Sequence, residues 1–129
     1  MKNGEKETKP RYGTVSFERR KYPRFNIDLP VQYYRTELSV SHNGRAMNVS
    51  EGGLLIYFPE QMKMGEQLKL KLFFSSGSEL NTIETLAEVV WVDIHLDEAR
   101  GDYRSGVKFV DIPTEDMDKL KNFLRSLSQ

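Results

Sequence analysis

Two short groups of polar residues have the composition of a ligand-binding site. The first consists of Arg19, Arg20, Lys21 and Arg24, which place four positive charges within six residues. A guanidinium presents a planar fork of donors that pairs bidentately with phosphate and stacks on a flat base. Pro23 disfavours a helix here, so the arginines are expected to flank a turn. The spacing predicts a binding site for a nucleotide-like anion. The alternative is a basic run that contacts only solvent.

The second group lies in the segment from Asn48 to Gly53 and consists of Asn48, Ser50 and Gly53. These are residue types that tight turns prefer, so a turn between two strands explains the segment without any ligand. The same turn could also point the amide and the hydroxyl at the edge of a base. Its glycine would let a ligand approach the backbone without meeting a Cβ atom.

Together, the two groups resemble the two-part signature of the PilZ domain family. The matching positions are Arg20-x-x-x-Arg24 and Asn48-x-Ser50-x-x-Gly53. The resemblance covers roughly residues 18 to 127 and includes the late segment from Gly106 to Val110. PilZ domains are bacterial receptors for cyclic di-GMP (c-di-GMP). The resemblance therefore implies a receptor of this kind, with no catalytic residue and no cofactor.

The resemblance also implies a role for each matching residue. Arg20 and Arg24 would bind phosphate oxygens or the O6 and N7 atoms of guanine. Asn48 and Ser50 would face a guanine edge, and Gly53 would admit the ligand close to the backbone. Many family members have Asp at the first position of the second motif, and Asp accepts from guanine more strongly than Asn does.

Two further residues are candidate contacts. In the family, an arginine at the position of Arg19 tends to accompany two intercalated c-di-GMP molecules, since a third guanidinium can neutralise charge and cap the stack. The alternative is that Arg19 only adds to the basic field of the arm. Trp91 is a tentative ligand neighbour, although a single Trp more often belongs to core or rim packing. Strand alternation places it on the face shared by Ala87 and Val89.

Alternating apolar residues predict the strands that position these groups. Every second residue from Phe25 to Tyr33 is apolar, which is the period of a half-buried strand. Further strands are predicted over residues 45–49, 54–58, 68–74, 83–93 and 103–112. About six antiparallel strands with short connections predict an all-β fold, a small six-stranded PilZ-like barrel.

Residues that favour turns separate the predicted strands. Asn43-Gly44 predicts a type I′ turn that closes a hairpin between residues 35–42 and 45–49. Gly65, Gly77 and Gly101 mark the other reversals.

Near the end of the chain, the apolar residues recur with the period of a helix. Thr114 is the predicted N-cap, with acidic residues in the first turn. One stripe of the helix is apolar and consists of Met117, Leu120, Phe123, Leu124 and Leu127. We expect this C-terminal helix to pack against the barrel as a lid.

Residues 1–17 have no sustained period, which predicts a flexible N-terminal arm ahead of a PilZ-like domain over residues 18–129. The net charge of the chain is zero, but residues 1–24 hold eight basic and three acidic residues. This local excess of positive charge points to an anionic partner, although a solvated tail explains residues 1–10 better.

Composition and residue spacing exclude several other classes of protein and of site. The chain has no cysteine, so thiolate metal sites are excluded and a cytoplasmic location is expected. No apolar run approaches the roughly 20 residues that cross a bilayer, so membrane insertion is not expected. His42 and His95 are too isolated for a metal site. A triad through His95 and Asp93 lacks a nucleophile elbow, so no enzyme is predicted.

The sequence thus predicts a non-enzymatic c-di-GMP receptor that signals to an unidentified downstream protein in trans by ordering its arm. One alternative is a small barrel that binds single-stranded nucleic acid, which would need exposed aromatics on one sheet face. The aromatics here follow the buried alternation, which disfavours nucleic acid. The other alternative is a PilZ-fold interaction module without nucleotide binding, and the complete motif set argues against it.

Overall fold

Alternating apolar residues close the chain into a barrel. The computed structural model describes residues 22–35, 40–93 and 103–128. Its elements are β1 (Phe25–Arg35), β2 (His42–Val49), β3 (Gly53–Phe58), β4 (Gln67–Ser76), β5 (Glu79–Val92), β6 (Tyr103–Asp111) and α1 (Thr114–Leu127). The six strands in these ranges are antiparallel and follow each other around the barrel in the order β1-β2-β3-β6-β5-β4. The predicted all-β barrel with one C-terminal helix is confirmed.

The core is built from the inward-facing residues of the strands. On β4, the side chains of Leu68, Leu70, Leu72 and Phe74 are buried, while Lys69 between them is exposed. A strand turns successive side chains to opposite faces, so this period of two gives one dry face and one wet face. The alternation predicted for the first strand is likewise confirmed in β1.

The predicted turn at Asn43-Gly44 is wrong. Both residues lie inside β2, where they pair with Gln32 and Val31 of β1. A Cβ atom on Gly44 would lie 2.9 Å from the backbone oxygen of Tyr57, so glycine is needed here for a close approach of strands. A glycine that allows close packing and a glycine that allows a turn cannot be distinguished by their neighbours in sequence.

The reversals predicted at Gly65 and Gly77 are confirmed. Their φ angles are 87° and 64°, a region that residues with a Cβ atom rarely adopt. Gly77 closes the hairpin between β4 and β5, and β5 begins at Glu79 rather than at Ile83.

The helix packs on the barrel as predicted, but its first residue differs. Thr114 is already helical, and Pro113 is the N-cap residue, with a φ of −58° and a ψ of 148° that suit a cap. Leu120 and Leu124 are buried against the barrel. The ring of Phe123 lies 4.5 Å from that of Phe74 on β4, measured between centroids.

Several predictions concern residues outside the described ranges. These are the arm of residues 1–17, Arg19, Arg20, His95 and the turn at Gly101-Asp102. The division into an arm and a domain from residue 18 onward remains a prediction. Within the ranges that are described, no helix is long and apolar enough to cross a membrane.

Candidate functional site

The outer face of the barrel carries a cleft where β2 passes into β3. Its volume is about 210 Å³. The residues that line it include Arg24, Asn48, Ser50, Gly53, Trp91 and Lys108. The structure thus brings every described residue of the predicted site to one place and adds Lys108, which the sequence pattern did not single out.

Strand pairing explains why the two halves of the sequence pattern meet. β1 and β2 are antiparallel, and their register sets Phe25 opposite Val49. Arg24 precedes Phe25 and Ser50 follows Val49, so the two residues lie side by side at the end of the barrel.

The segment after β2 is a tight turn, as its residue types predict. The backbone N–H of Ser50 donates to the backbone oxygen of Gly53 at 3.0 Å, and that of Gly52 donates to Ser50 Oγ at 3.0 Å. The backbone oxygen of Gly52 accepts from the N–H of Phe109 at 2.9 Å, which ties the turn to β6. Ser50 Oγ accepts this bond and donates to no described residue, so the hydroxyl hydrogen remains available to donate.

The Asn48 side chain is held in place by a neighbouring amide. Its Nδ2 donates to Asn26 Oδ1 on β1 at 3.4 Å. Within the described ranges this is the hydrogen bond that the Asn48 side chain makes, so its Oδ1 atom remains an acceptor at the cleft.

Gly53 serves the packing of strands. A Cβ atom on it would lie 2.0 Å from the backbone oxygen of Val107 and 3.0 Å from the Cα atom of Lys108. The close approach that this glycine allows is therefore between β3 and β6, and the barrel requires it whether or not a ligand binds.

Trp91 lies on the outer face of the barrel. The prediction from strand alternation, which placed it on the face shared by Ala87 and Val89, is wrong. In the ladder between β5 and β6, Val89 pairs with Val107 and Trp91 pairs with Gly106, so Val90 is an extra residue. Such a bulge reverses the alternation beyond it. The indole is 38% exposed and lies over Gly106, where a Cβ atom would be 2.5 Å from Trp91 Nε1.

The cleft is basic, and two of its cations have no partner in the ranges that the structure describes. Neither Arg24 nor Lys108 makes a hydrogen bond or an ion pair there. Lys108 could have been found in the sequence, since it alternates with the apolar Val107 and Phe109 and must face outward. The described residues contain no group of three side chains able to hold a metal ion.

The family model described as the PilZ domain matches residues 18–126. This chain belongs to the PilZ domain family. The resemblance that the two motifs indicated is therefore confirmed. A comparison with curated proteins finds no significant match.

Solved structures of PilZ proteins share the fold at low sequence identity. The Bacillus subtilis inhibitor of motility MotI/DgrA matches with a TM-score of 0.70 and 23% identity over 86% of this chain and 53% of its own. The PilZ domain of Escherichia coli YcgR with c-di-GMP has a TM-score of 0.66 and 14% identity over 85% and 92%. The K. pneumonia MrkH–c-di-GMP complex has a TM-score of 0.64 and 21% identity over 84% and 51%. This PilZ chain thus spans about half the length of MotI and of MrkH.

Proposed function

We propose that this PilZ domain is a c-di-GMP receptor that binds the dinucleotide in the outer-face cleft and acts as a binding module rather than an enzyme. The observation that carries the proposal is the meeting of Arg24, Asn48 and Ser50 at one cleft. Family membership adds support, as do the fold relatives YcgR and MrkH, whose structures contain c-di-GMP.

The chemistry of the cleft suits this ligand. Arg24, together with Arg20, binds phosphate oxygens or the O6 and N7 atoms of guanine. The free acceptor of Asn48 takes the N1 and N2 hydrogens of a guanine, and the Ser50 hydroxyl donates to a neighbouring oxygen. The exposed face of Trp91 offers a stacking surface for a purine.

The proposal extends to the N-terminal arm, residues 1–17, and to a partner. Arg19 and Arg20 lie in the sequence between the arm and Arg24, so contacts of these arginines with the ligand would order the arm and change the surface that a downstream protein in trans can read. Protection of arm amides from hydrogen exchange only when c-di-GMP is present would support this signal. Protection that is the same without ligand would reject it.

A titration of the full chain with c-di-GMP, followed by Trp91 fluorescence and by calorimetry, tests the function. We expect saturable binding and a change in the emission of the single Trp. The molar ratio in the same titration tests Arg19: a ratio near two that falls toward one in Arg19→Leu supports an intercalated pair, and a ratio near one in the parent rejects it.

Single-stranded oligonucleotides provide the contrasting ligand. A nucleic-acid-binding barrel would bind them with an affinity that rises with length and falls steeply with salt. Such binding without any response to c-di-GMP would replace the proposed function, and no response to either ligand would favour an interaction module.

A further inference from the structure

Lys108 is a charged residue of the cleft that lies outside both sequence motifs. In the strand register it lies on β6 opposite Gly53 of β3 and Glu88 of β5. Its side chain is exposed and lines the same cleft as Arg24 and Trp91. The cleft therefore has a cation on its β6 side as well as on its β1 side.

The surroundings of Lys108 differ from those of the other cation on the outer face of β6. Arg104 and Lys108 flank Gly106 on either side, and the period of the strand turns both side chains outward. Arg104 is committed to Asp93, since its Nε atom donates to Asp93 Oδ2 at 2.9 Å. Lys108 has no partner among the described residues, even though Glu88 is its neighbour across the ladder.

Arg24, which directly precedes β1, and Lys108 of β6 both line the cleft, and this arrangement suits a ligand with two anionic groups. β1, β2, β3 and β6 are consecutive in the barrel, and neighbouring strands lie about 4.8 Å apart, so the backbones of β1 and β6 are roughly 14 Å apart along the sheet. Arg24 and Lys108 therefore approach the cleft from different sides. c-di-GMP carries two phosphates on opposite sides of its macrocycle, and two long side chains can reach inward to them.

We propose that Lys108 binds one phosphate of c-di-GMP from the β6 side of the cleft while Arg24 binds the other from the β1 side. The inference rests on the proposed receptor function. An ammonium binds phosphate as a compact point charge with three donors. The two cations then hold the macrocycle from both sides, and Asn48, Ser50 and Trp91 are left to contact the bases.

Calorimetric titration of the full chain with c-di-GMP tests Lys108→Ala against Lys108→Arg, with Lys69→Ala as the control. Lys69 is exposed on β4 and does not line the cleft. We expect Lys108→Ala to weaken binding about ten-fold or more, because a charge-assisted hydrogen bond is lost, and Lys108→Arg to stay within about three-fold of the parent. The loss of affinity in Lys108→Ala should become smaller as the NaCl concentration is raised, because salt screens the attraction that the variant lacks. Binding by Lys108→Ala within about two-fold of the parent, or an equal loss in Lys69→Ala, overturns the proposal.

Two further measurements separate phosphate binding from other roles. c-di-GMP with sulfur in place of one non-bridging oxygen in each of its two phosphates should bind the parent more weakly, and this loss should be smaller in Lys108→Ala, where only the contact with Arg24 is left to be weakened. An equal loss in both proteins means that Lys108 does not touch a phosphate. Recovery of the parent affinity when Glu88→Gln is added to Lys108→Ala means that Lys108 only neutralises Glu88. Either result overturns the proposal.

The titration of the parent distinguishes failure of the proposed receptor function from failure of the proposed role of Lys108. A folded parent that does not bind c-di-GMP rejects the receptor function and the role of Lys108 together. A parent that binds, beside a Lys108→Ala variant of unchanged affinity, rejects the role of Lys108 alone.

Discussion

At the residue scale, the guanidinium of Arg24 differs from those of Arg45 and Arg104 in having no partner among the described residues. Arg45 Nε donates to Asp28 Oδ1 at 2.6 Å, and Arg104 is paired with Asp93. Arg24 has no such partner in the described ranges. A ligand can therefore engage Arg24 without breaking an existing ion pair, and removal of Arg24 should affect binding more than folding.

We expect Arg24→Ala to lower the affinity for c-di-GMP by at least about 100-fold, since two charge-assisted hydrogen bonds of about 1.5–3 kcal/mol each are lost. The melting temperature should stay close to that of the parent. Arg45→Ala is the matched control, because it removes an exposed guanidinium that is not part of the cleft. Binding by Arg24→Ala within a few-fold of the parent would place the site elsewhere.

Gly53→Ala tests the packing of β3 against β6. Its Cβ atom would lie 2.0 Å from the backbone oxygen of Val107, so the strands must separate. We expect the free energy of unfolding, measured with urea, to fall by about 1–3 kcal/mol or more. In Gly52→Ala the nearest atom is 3.2 Å away on the Tyr22 ring, which can shift, so that variant should lose less. Equal stability of the two variants would contradict this account.

At the element scale, α1 covers the part of β5 that β6 leaves unpaired. The N–H of Glu84 donates to Asp116 Oδ2 at 2.7 Å, and Lys119 Nζ donates to the backbone oxygen of Thr82 at 3.3 Å. Side chains of the helix thus satisfy an exposed strand edge that could otherwise pair with another chain. The buried leucines of the helix add apolar contact to these polar bonds.

Leu120→Ala should show how far the barrel depends on the helix. Leu120 is 0% exposed, so its truncation should lower the free energy of unfolding by about 2–5 kcal/mol through lost burial and a residual cavity. Leu127 is 38% exposed, and Leu127→Ala should have a clearly smaller effect. Urea unfolding measures both variants. A Leu120→Ala variant as stable as Leu127→Ala would mean that the helix contributes little to the barrel.

At the scale of the whole molecule, the end of the barrel opposite the cleft is closed by a polar network around Tyr33. The buried Tyr33 hydroxyl donates to Glu60 Oε2 at 2.6 Å. Arg35 pairs with Glu60 at 3.4 Å and with Glu66 at 2.7 Å. This network holds the segment between β3 and β4 against β1.

Burial raises the pKa of Tyr33, and the hydrogen bond to Glu60 raises it further.

The raised pKa makes stability depend on pH in the alkaline range. The ordinary pKa of the phenol is 10.0, so above about pH 10 the unfolded chain loses the Tyr33 proton while the folded chain keeps it. The contribution of Tyr33 is fully present below that pH and is lost as the pH rises. Tyr33→Phe should therefore lose stability less steeply than the parent in urea unfolding above about pH 10. Tyr34→Phe is the control, and equal slopes for the parent and Tyr33→Phe would contradict the assignment.

The sequence by itself determined the features that depend on local periodicity and residue type. The strand alternation on β4, the apolar stripe of α1 and the turn glycines Gly65 and Gly77 follow from neighbours along the chain. The two motifs were sufficient to indicate the family, because they combine residue types at set spacings. Whether Arg19 and Arg20 reach the cleft remains a prediction.

Only the tertiary structure decided what depends on neighbours across strands. Gly44 is glycine because Tyr57 of another strand passes close to it, and no turn is formed there. An extra residue in β5 moved Trp91 to the outer face, since a bulge reverses the alternation that the sequence predicts. Lys108 became a cleft residue because the register places β6 beside β3. Strand register brings together residues that are far apart in the chain, and local sequence patterns carry no signal of that pairing.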